Sequence, residues 1–257
     1  GSLGLHADHI ERMTLVEGLF LVIGGGAAGF INALAGGGSA ITIPILTEMV
    51  GIGTANGTNR IAIFLANMTA IAGYQTGAAI PWRRLGVLIG PTVVGAAAGA
   101  WISTVSPPDV LEYVFAGVLL LIAASVGLRP ERWLREREAV LREPWRSIVF
   151  LGIGFYGGFV QAGVGFILLA GLVLGSGMNL VNGNAAKVVL IAAYSPVAIL
   201  LFARASQVDL AVGALLSAGQ MSGAWAGSRL AVLKGASWIR WVLVVAAVAA
   251  AARLALG

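Results

Sequence analysis

The residues best suited to chemistry lie between positions 51 and 60, in a short polar stretch between two apolar segments. They comprise a guanidinium, two carboxamides and a hydroxyl: Asn56, Thr58, Asn59 and Arg60. All of these groups can donate hydrogen bonds, and a guanidinium can bind two oxygens of an oxyanion at once. Glycines in the same stretch favour irregular backbone, so we expect the helix to break here and to resume at Arg60.

A similar set of side chains recurs in the second half of the chain, at Asn182, Asn184 and Lys187. Both sets border apolar segments. A basic side chain at membrane depth costs about 2.5–3.5 kcal/mol on insertion scales and usually marks a substrate path. The alternative is that each basic residue extends to the lipid headgroups from a helix end, and that the asparagines only cap helices. Capping and binding are compatible.

Composition identifies the class of protein. Of 257 residues, 58% are hydrophobic and only 11% are charged, and the mean hydropathy is +0.92. Soluble domains carry about a quarter charged residues, so this composition predicts an all-α polytopic membrane protein. The basic residues lie in short breaks between apolar spans, which argues against nucleic-acid binding.

Residue types also limit the chemistry. The chain has no cysteine and only two histidines, both in the polar N-terminal leader. These counts argue against thiolate or histidine metal sites, so we expect neither a metal nor another cofactor. A membrane-embedded enzyme would need clustered His, Asp, Glu or Cys inside the bilayer, so we expect a protein that is not an enzyme.

The apolar segments fall into two groups of five, separated by a polar interval. The predicted units are a leader (1–14), a first transmembrane repeat (15–128), an amphipathic linker (129–146) and a second repeat (147–256). The linker holds six arginines and four glutamates, and its apolar residues are spaced as in an interfacial helix.

Three landmarks in the same order indicate an internal duplication. The sequence Gly-Phe-Ile-Asn-Ala at 29–33 matches Gly-Phe-Val-Gln-Ala at 158–162, which also aligns Gly36 with Gly165. Arg60 then aligns with Lys187, and the glycine pair at 95 and 99 aligns with the pair at 223 and 227. The glycine pairs predict close helix contacts, either between the two halves or between two protomers. A homodimer is a further expectation.

The charges predict that the two halves are inverted. Basic residues at 83–84, 129–146, 229 and 234 should face the cytoplasm, and the acidic turn at 103–112 should face outward. Corresponding loops then lie on opposite faces of the membrane, which places both termini outside. The expected location is the cell inner membrane.

Two apolar segments, 40–50 and 164–175, are too short to cross a bilayer, since a full span needs about 20 residues. We interpret them as half-helices in glycine-hinged hairpins. Inverted repeats bring equivalent breaks together near the membrane midplane. We therefore expect the two polar sets to converge there, with helix N-termini directed at the same point, in a site suited to an anion.

These motifs resemble a known family. The glycine-rich turn at 36–39, Pro44 in the short helix that follows, the Asn-Gly-Thr-Asn-Arg stretch at 56–60 and its counterpart at 182–187 are similar to those of the sulfite exporter family TauE/SafE. Its members are membrane transporters associated with sulfite and organosulfonates. The resemblance implies that the substrate ligands are Asn56, Asn59, Arg60, Asn184 and Lys187. The second glycine cluster, 163–166, departs from the pattern and no proline follows it.

The sequence thus predicts transport of a small sulfur oxyanion, with sulfite export as the leading hypothesis. An interior-negative potential expels an anion with about 2.3 kcal/mol per charge per 100 mV, so export does not require proton coupling. Glu48 is the main acidic residue within the spans, and we expect it to extend to the membrane surface. The alternatives are an uptake carrier or a channel for another small anion, such as thiosulfate, sulfoacetate or another organosulfonate.

Overall fold

The computed structural model describes residues 15–77, 80–111, 113, 114, 117 and 141–256, and all regular structure in this part of the chain is helical. The helices are α1 (Leu15–Leu34), α2 (Ser39–Val50), α3 (Ile52–Gln75), α4 (Trp82–Val105), α5 (Trp145–Phe159), α6 (Val164–Ala170), α7 (Leu180–Arg204) and α8 (Leu210–Leu256). A π-helical turn, Gly171–Gly175, extends α6. The predicted leader, most of the fifth segment and linker residues 129–140 lie outside the described residues.

Three of these helices are long and apolar enough to cross a bilayer: Glu17–Leu34, Trp82–Val105 and Leu180–Arg204. α3 is as long as α4, at 24 residues. It carries the polar residues singled out in the sequence, and it is less apolar for that reason. The prediction of an all-α membrane protein is therefore confirmed.

The two predicted half-helices are also present, as Ser39–Val50 and Val164–Gly175. Each folds back along the helix that precedes it. Gly24 and Ala28 of α1 face Ile45 and Gly38, while Gly157 of α5 faces Val164. The first half-helix contains Pro44, whereas the second ends in the π-helical turn. The two hairpins therefore bend by different local means, although both reverse the chain.

The predicted break at 51–60 is wrong in extent. Gly51 alone separates α2 from α3, with φ 74°, and the residues from Ile52 through Arg60 are helical. In the second half, α7 begins at Leu180, well before Lys187. The glycines and asparagines lower the intrinsic helix propensity, but tertiary contacts of the Asn56, Thr58 and Arg60 side chains override that preference. The N-termini of α3 and α7 consequently do not lie at the two cations.

The two last predicted segments, 210–228 and 238–256, form one long helix interrupted at a single residue. Gly235 has φ 70° and ψ −167°, which no helical residue adopts. The chain is helical on both sides of this residue, so the predicted loop is reduced to a break at Gly235.

Glycines join the two repeats within one chain. α4 lies along α5, where a methyl group on Gly95 or Gly99 would overlap a carbonyl oxygen of Leu151 or Phe155. α8 lies along α1, where Gly223 meets the Gly26 carbonyl in the same way. The sequence left open whether these glycines join the halves or two protomers. They join the halves, and a homodimer stays a prediction.

α3 and α7 form the centre of the molecule and run antiparallel. Gly57, near the start of α3, lies against Phe202, near the end of α7, whereas Tyr74 at the other end of α3 packs in one cluster with Leu180 at the start of α7. Equivalent helices of inverted repeats must run antiparallel, so this arrangement agrees with the predicted inversion.

In the structure, the two hairpins align with each other one helical turn away from the alignment that the sequence predicted. The sequence aligned Gly36 with Gly165, but Gly36, with φ 89°, corresponds to Gln161, with φ 67°. The same alignment pairs the ends of α1 and α5 and the starts of α2 and α6. The repeated Gly-Phe-x-x-Ala motif misled the alignment, since residues one turn apart lie on the same helix face.

Candidate functional site

Arg60 is fully buried and forms hydrogen bonds through both terminal nitrogens of its guanidinium. Nη1 donates to the Gly157 carbonyl (3.0 Å) and to Gln161 Oε1 (2.9 Å). Nη2 donates to the Gly158 carbonyl (2.5 Å) and to Asn56 Oδ1 (3.2 Å). Only the Nε–H group has no partner among the described residues.

The ring of Phe202 covers one face of this guanidinium, with Cζ 4.5 Å from the ring centroid. This cation–π contact and three of the four hydrogen-bond acceptors come from the second repeat. Arg60 is thus a first-repeat side chain that is held almost entirely by the second repeat.

Lys187 shows the reciprocal arrangement. It is fully buried, and its ammonium donates to the Asn32 carbonyl (2.8 Å), the Ala33 carbonyl (3.3 Å) and Asn184 Oδ1 (2.6 Å). The two carbonyls belong to the first repeat. An ammonium has three donors, so all of them have acceptors.

Each cation binds the carboxyl end of the hairpin helix of the other repeat. Gly157 and Gly158 precede the end of α5 at Phe159, and Asn32 and Ala33 precede the end of α1 at Leu34. The last carbonyls of a helix lack intrahelical partners and carry partial negative charge, so a cation stabilises them. We call these two interactions the Arg60 clamp and the Lys187 clamp.

Full burial excludes the alternative that the two basic side chains extend to lipid headgroups. Their hydrogen-bond partners are carbonyl and carboxamide oxygens, and none is a carboxylate. Asp209 is the buried acidic residue of the described chain, and its carboxylate accepts from the Ala211 and Val212 backbone N–H groups at the start of α8. Within the part of the chain that the structure describes, the two positive charges are therefore stabilised by dipoles and not by a carboxylate.

Two other predicted residues of the first set, Asn56 and Thr58, also contact the second repeat. Asn56 donates to the Phe159 carbonyl (2.8 Å) and to Ser103 Oγ (3.2 Å), and so completes the bonding at the end of α5. Thr58 Oγ1 accepts from the Asp209 backbone N–H (2.9 Å). These contacts explain why the polar residues form a helix at this point.

Asn59 has a separate environment beside the first half-helix. Its Oδ1 accepts from Thr42 Oγ1 (2.8 Å) and Gln220 Nε2 (3.4 Å), and its Nδ2 donates to Ser39 Oγ (3.2 Å). In the second set, Asn184 supports Lys187, whereas Asn182 is half-buried and its backbone N–H donates to the capping Asn179.

The structure does not bring the two predicted sets into contact. No hydrogen bond among the described residues joins the first set to the second. Arg60 lies against Phe202, which is 15 residues beyond Lys187 in α7, or about 22 Å along an ideal helix. The cations are at the same interface but at different levels, each on the opposite hairpin.

Sequence reasoning missed several polar residues of this region: Asn32, Ser39, Thr42, Ser103, Gln161 and Gln220. Ser39 and Thr42 are three positions apart on the half-helix, a spacing that puts two hydroxyls on one helix face and could have indicated them. Gln161 stood inside the repeated motif but was used only for alignment. The sequence around Gln220 does not indicate a binding residue. The flanking glycines, which bring α8 against α1, indicate only close helix packing. Glu48 is exposed near the end of α2, and its extension to the membrane surface stays a prediction.

Comparison with known proteins shows which family the chain is similar to. Residues 21–254 match the family described as sulfite exporter TauE/SafE. The probable membrane transporter protein ORF9 of a Sinorhizobium species is 31% identical over 238 residues, which cover 91% of each chain. The probable membrane transporter protein YfcA of Escherichia coli K12 is 29% identical over 230 residues, covering 88% of this chain and 85% of YfcA.

A probable membrane transporter protein of Haemophilus influenzae is 28% identical over 229 residues, covering 86% of this chain and 88% of its own. No solved structure matches the chain. The family match extends from the middle of α1 into the last turns of α8 and includes both clamps. The chain therefore belongs to the TauE/SafE family of membrane transporters.

Proposed function

We propose that the protein transports a small sulfur oxyanion across the cell inner membrane, with sulfite export as the favoured reaction. The observation that carries this proposal is the burial of Arg60 and Lys187 with no carboxylate partner among the described residues. Carbonyl dipoles offset part of the cost of burying two charges, but they leave the interface with a net positive charge. A bound anion would neutralise it.

The residues proposed to act on the anion along the repeat interface are the seven predicted from the sequence, in two separate sets: Asn56, Thr58, Asn59 and Arg60, and Asn182, Asn184 and Lys187. In the state described here, the clamps use most of the donors of the two cations. The cations then act on an anion mainly through their field, which extends over several ångströms in a low-dielectric interior. Direct binding to a cation would require it to release a carbonyl.

The membrane potential can drive export on this proposal. An interior-negative potential favours outward movement of an anion by about 2.3 kcal/mol per charge per 100 mV. Glu48 is exposed, and Asp209 caps a helix, so we assign neither to a proton relay. We also propose that both termini lie outside, on the basis of the arginine distribution.

The test is flux of radiolabelled sulfite in proteoliposomes with an imposed potential of either sign. We expect saturable flux that reverses in direction with the potential, and competition by those oxyanions that the site accepts. Thiosulfate and sulfoacetate serve as competitors, and acceleration by substrate on the opposite side would distinguish a carrier from a channel. Absence of sulfite flux, with rapid flux of one of the other anions, would replace sulfite by that anion.

A further inference from the structure

Four buried polar side chains surround the start of the first half-helix. We call them the α2 cluster: Ser39, Thr42, Asn59 and Gln220. Asn59 holds the other three by hydrogen bonds of 2.8–3.4 Å. All four side chains are at most 2% exposed.

The four matching positions around the second half-helix, all within the described residues, form no such cluster. When the two hairpins are aligned by the starts of their half-helices, Ser39 and Thr42 correspond to Val164 and Ile167. When Arg60 is aligned with Lys187, Asn59 corresponds to Ala186. Gln220 corresponds to Thr92, whose hydroxyl donates within its own helix to the Leu88 carbonyl (2.7 Å). The fold thus needs no hydroxyl groups at these two half-helix positions, since Val164 and Ile167 occupy them in the second hairpin.

Two kinds of polar group in the first hairpin have no partner among the described residues. The backbone N–H groups of Gly37, Gly38 and Ser39 donate to none of these residues, whereas that of Ala40 donates to the Gly37 carbonyl (3.0 Å). Gln220 Oε1 is fully buried and accepts no hydrogen bond. Free N–H groups at a helix start attract an anion, and a free carboxamide oxygen requires a donor.

The Lys187 ammonium lies close to this turn. It donates to the Asn32 carbonyl, and the backbone of Gly38 packs directly on the Asn32 side chain. The first hairpin therefore combines a nearby positive charge, a row of N–H donors and one unsatisfied acceptor.

We propose that the α2 cluster binds a singly protonated oxyanion, which is hydrogen sulfite if the function proposed above is correct. Its unprotonated oxygens would accept from the N–H groups of residues 37–39 and from the Ser39 hydroxyl. Its own hydroxyl would donate to Gln220 Oε1. A fully deprotonated oxyanion offers no donor to that oxygen, so the cluster would discriminate against sulfate.

The described charged and titratable side chains on the helices packed around the cluster are Glu17, Glu48, Arg60, Tyr74, Lys187, Tyr194, Arg204, Arg229 and Lys234. Any pH dependence that arises from one of these groups would persist in a variant that changes Gln220 alone. The pH dependence proposed here arises from protonation of the substrate. Gln220 makes binding depend on that proton, because its Oε1 accepts a hydrogen bond from the substrate hydroxyl.

The experiment compares wild type, Gln220→Met and Gln207→Met in proteoliposomes at fixed total sulfite. Gln207 is a matched control, because its Oε1 is also buried without a partner but lies outside the cluster. The pH is varied on both sides of the second ionisation of sulfite, which is near neutrality. We expect wild-type flux to follow the hydrogen sulfite concentration and to be insensitive to sulfate.

Gln220→Met should lower the apparent affinity about tenfold or more, the usual effect of losing a hydrogen bond to a charged group, and should remove the preference for the protonated form. Gln207→Met should behave as wild type. If Gln220→Met does not fold, Ser39→Ala, checked by its thermal unfolding in detergent, should still lose at least about threefold in affinity.

Normal affinity and normal pH preference in a folded Gln220→Met protein would overturn the assignment while leaving sulfite transport intact. Equal losses in Gln220→Met and Gln207→Met would also overturn it, because the effect would then not be specific to the cluster. If wild type moves no sulfite, the proposed function fails first, and protonated phosphate or another protonated oxyanion is tested by the same comparison.

Discussion

The first hairpin, residues 15–50, and the second, residues 145–175, each consist of a helix, a short turn and a half-helix that folds back. Each is held at the end of its long helix by a cation from the other repeat. They differ in what surrounds the half-helix. The first has buried hydroxyls and carboxamides, whereas the second has Val164, Ile167 and Ala186 at the corresponding positions.

This difference distinguishes features that hold the two repeats together from a feature that is available for binding substrate. Features present in both hairpins, such as the clamps and the glycine contacts, are those that an inverted pair of repeats needs to hold together. A feature present in only one hairpin is not required by that shared arrangement. The α2 cluster is therefore the part of the interface where substrate selectivity should be sought.

The largest expected effect is loss of the Arg60 clamp. Arg60→Met would leave two α5 carbonyls, Asn56 and Gln161 without their donor, and we expect it to destabilise the protein by at least about 3 kcal/mol. Lys187→Met should cost less, about 2 kcal/mol, because fewer acceptors are left unpaired and Ala33 keeps its bond from Tyr74 (2.8 Å). Thermal unfolding in detergent measures both.

The control for the clamps is a conservative exchange. Arg60→Lys keeps the charge but has one donor fewer than the four that Arg60 uses, so its stability should lie between wild type and Arg60→Met. Equal stability of Arg60→Met and wild type would show that the clamp does not hold the repeats together.

A smaller effect is expected at the glycine contacts. Gly99→Ala should cost about 1–3 kcal/mol, since the new methyl group would overlap the Phe155 carbonyl oxygen. Gly227→Ala should cost less, because the closest atom, the Phe30 carbonyl oxygen, would lie 2.9 Å away. Gly90→Ala is the matched control within α4, since nothing lies near that position. The order of the three melting temperatures tests the prediction, and a cost at Gly90 equal to that at Gly99 would contradict it.

Exchange of residues between the hairpins sharpens the comparison. Ser39→Val copies the second hairpin into the first and should reduce sulfite affinity several-fold, because it removes a hydroxyl from the cluster. Val164→Ser makes the reverse change and should leave affinity within about twofold of wild type. Concentration dependence of flux measures both, and equal losses in the two variants would show that the hairpins do not differ in function.

The smallest effect is expected at the start of the second repeat. Hydrogen bonds from Ser147 and Arg146 lower the pKa of the exposed Glu143. A lowered pKa means that the ionised form stabilises the fold. This contribution is present above the unfolded-state pKa and is lost as pH falls through the folded-state pKa. Glu143→Gln should therefore be slightly less stable than wild type at neutral pH and equally stable in acid, as measured by unfolding across that range.

Much of the fold was predictable because it depends on local patterns. Apolar segment lengths predicted the spans and half-helices, and the charge distribution with the repeated motifs predicted the inversion. The register of the hairpins was not predictable, since a shift of one helical turn preserves the same helix face. The helical conformation of 52–60 was also missed, because it depends on contacts of Asn56 and Thr58 with the second repeat.

The site was predicted in part, because some of its residues are recognisable from the local sequence. Arg60, Lys187 and the asparagines beside them stand out in an apolar sequence. Their partners do not, because most are backbone carbonyls, which any residue provides. Gln220 is distant in sequence from Asn59 and meets it only once α8 packs against α3.

The most direct test of the net positive charge at the repeat interface is the sulfite affinity of Lys187→Gln, measured from sulfite-induced currents on a supported membrane. Gln keeps a hydrogen-bond donor but removes the charge. A charge about 10 Å from the anion contributes roughly 1.7 kcal/mol at an effective dielectric constant near 20, so we predict an affinity loss of more than about tenfold. Unchanged affinity in a folded Lys187→Gln protein would contradict the account.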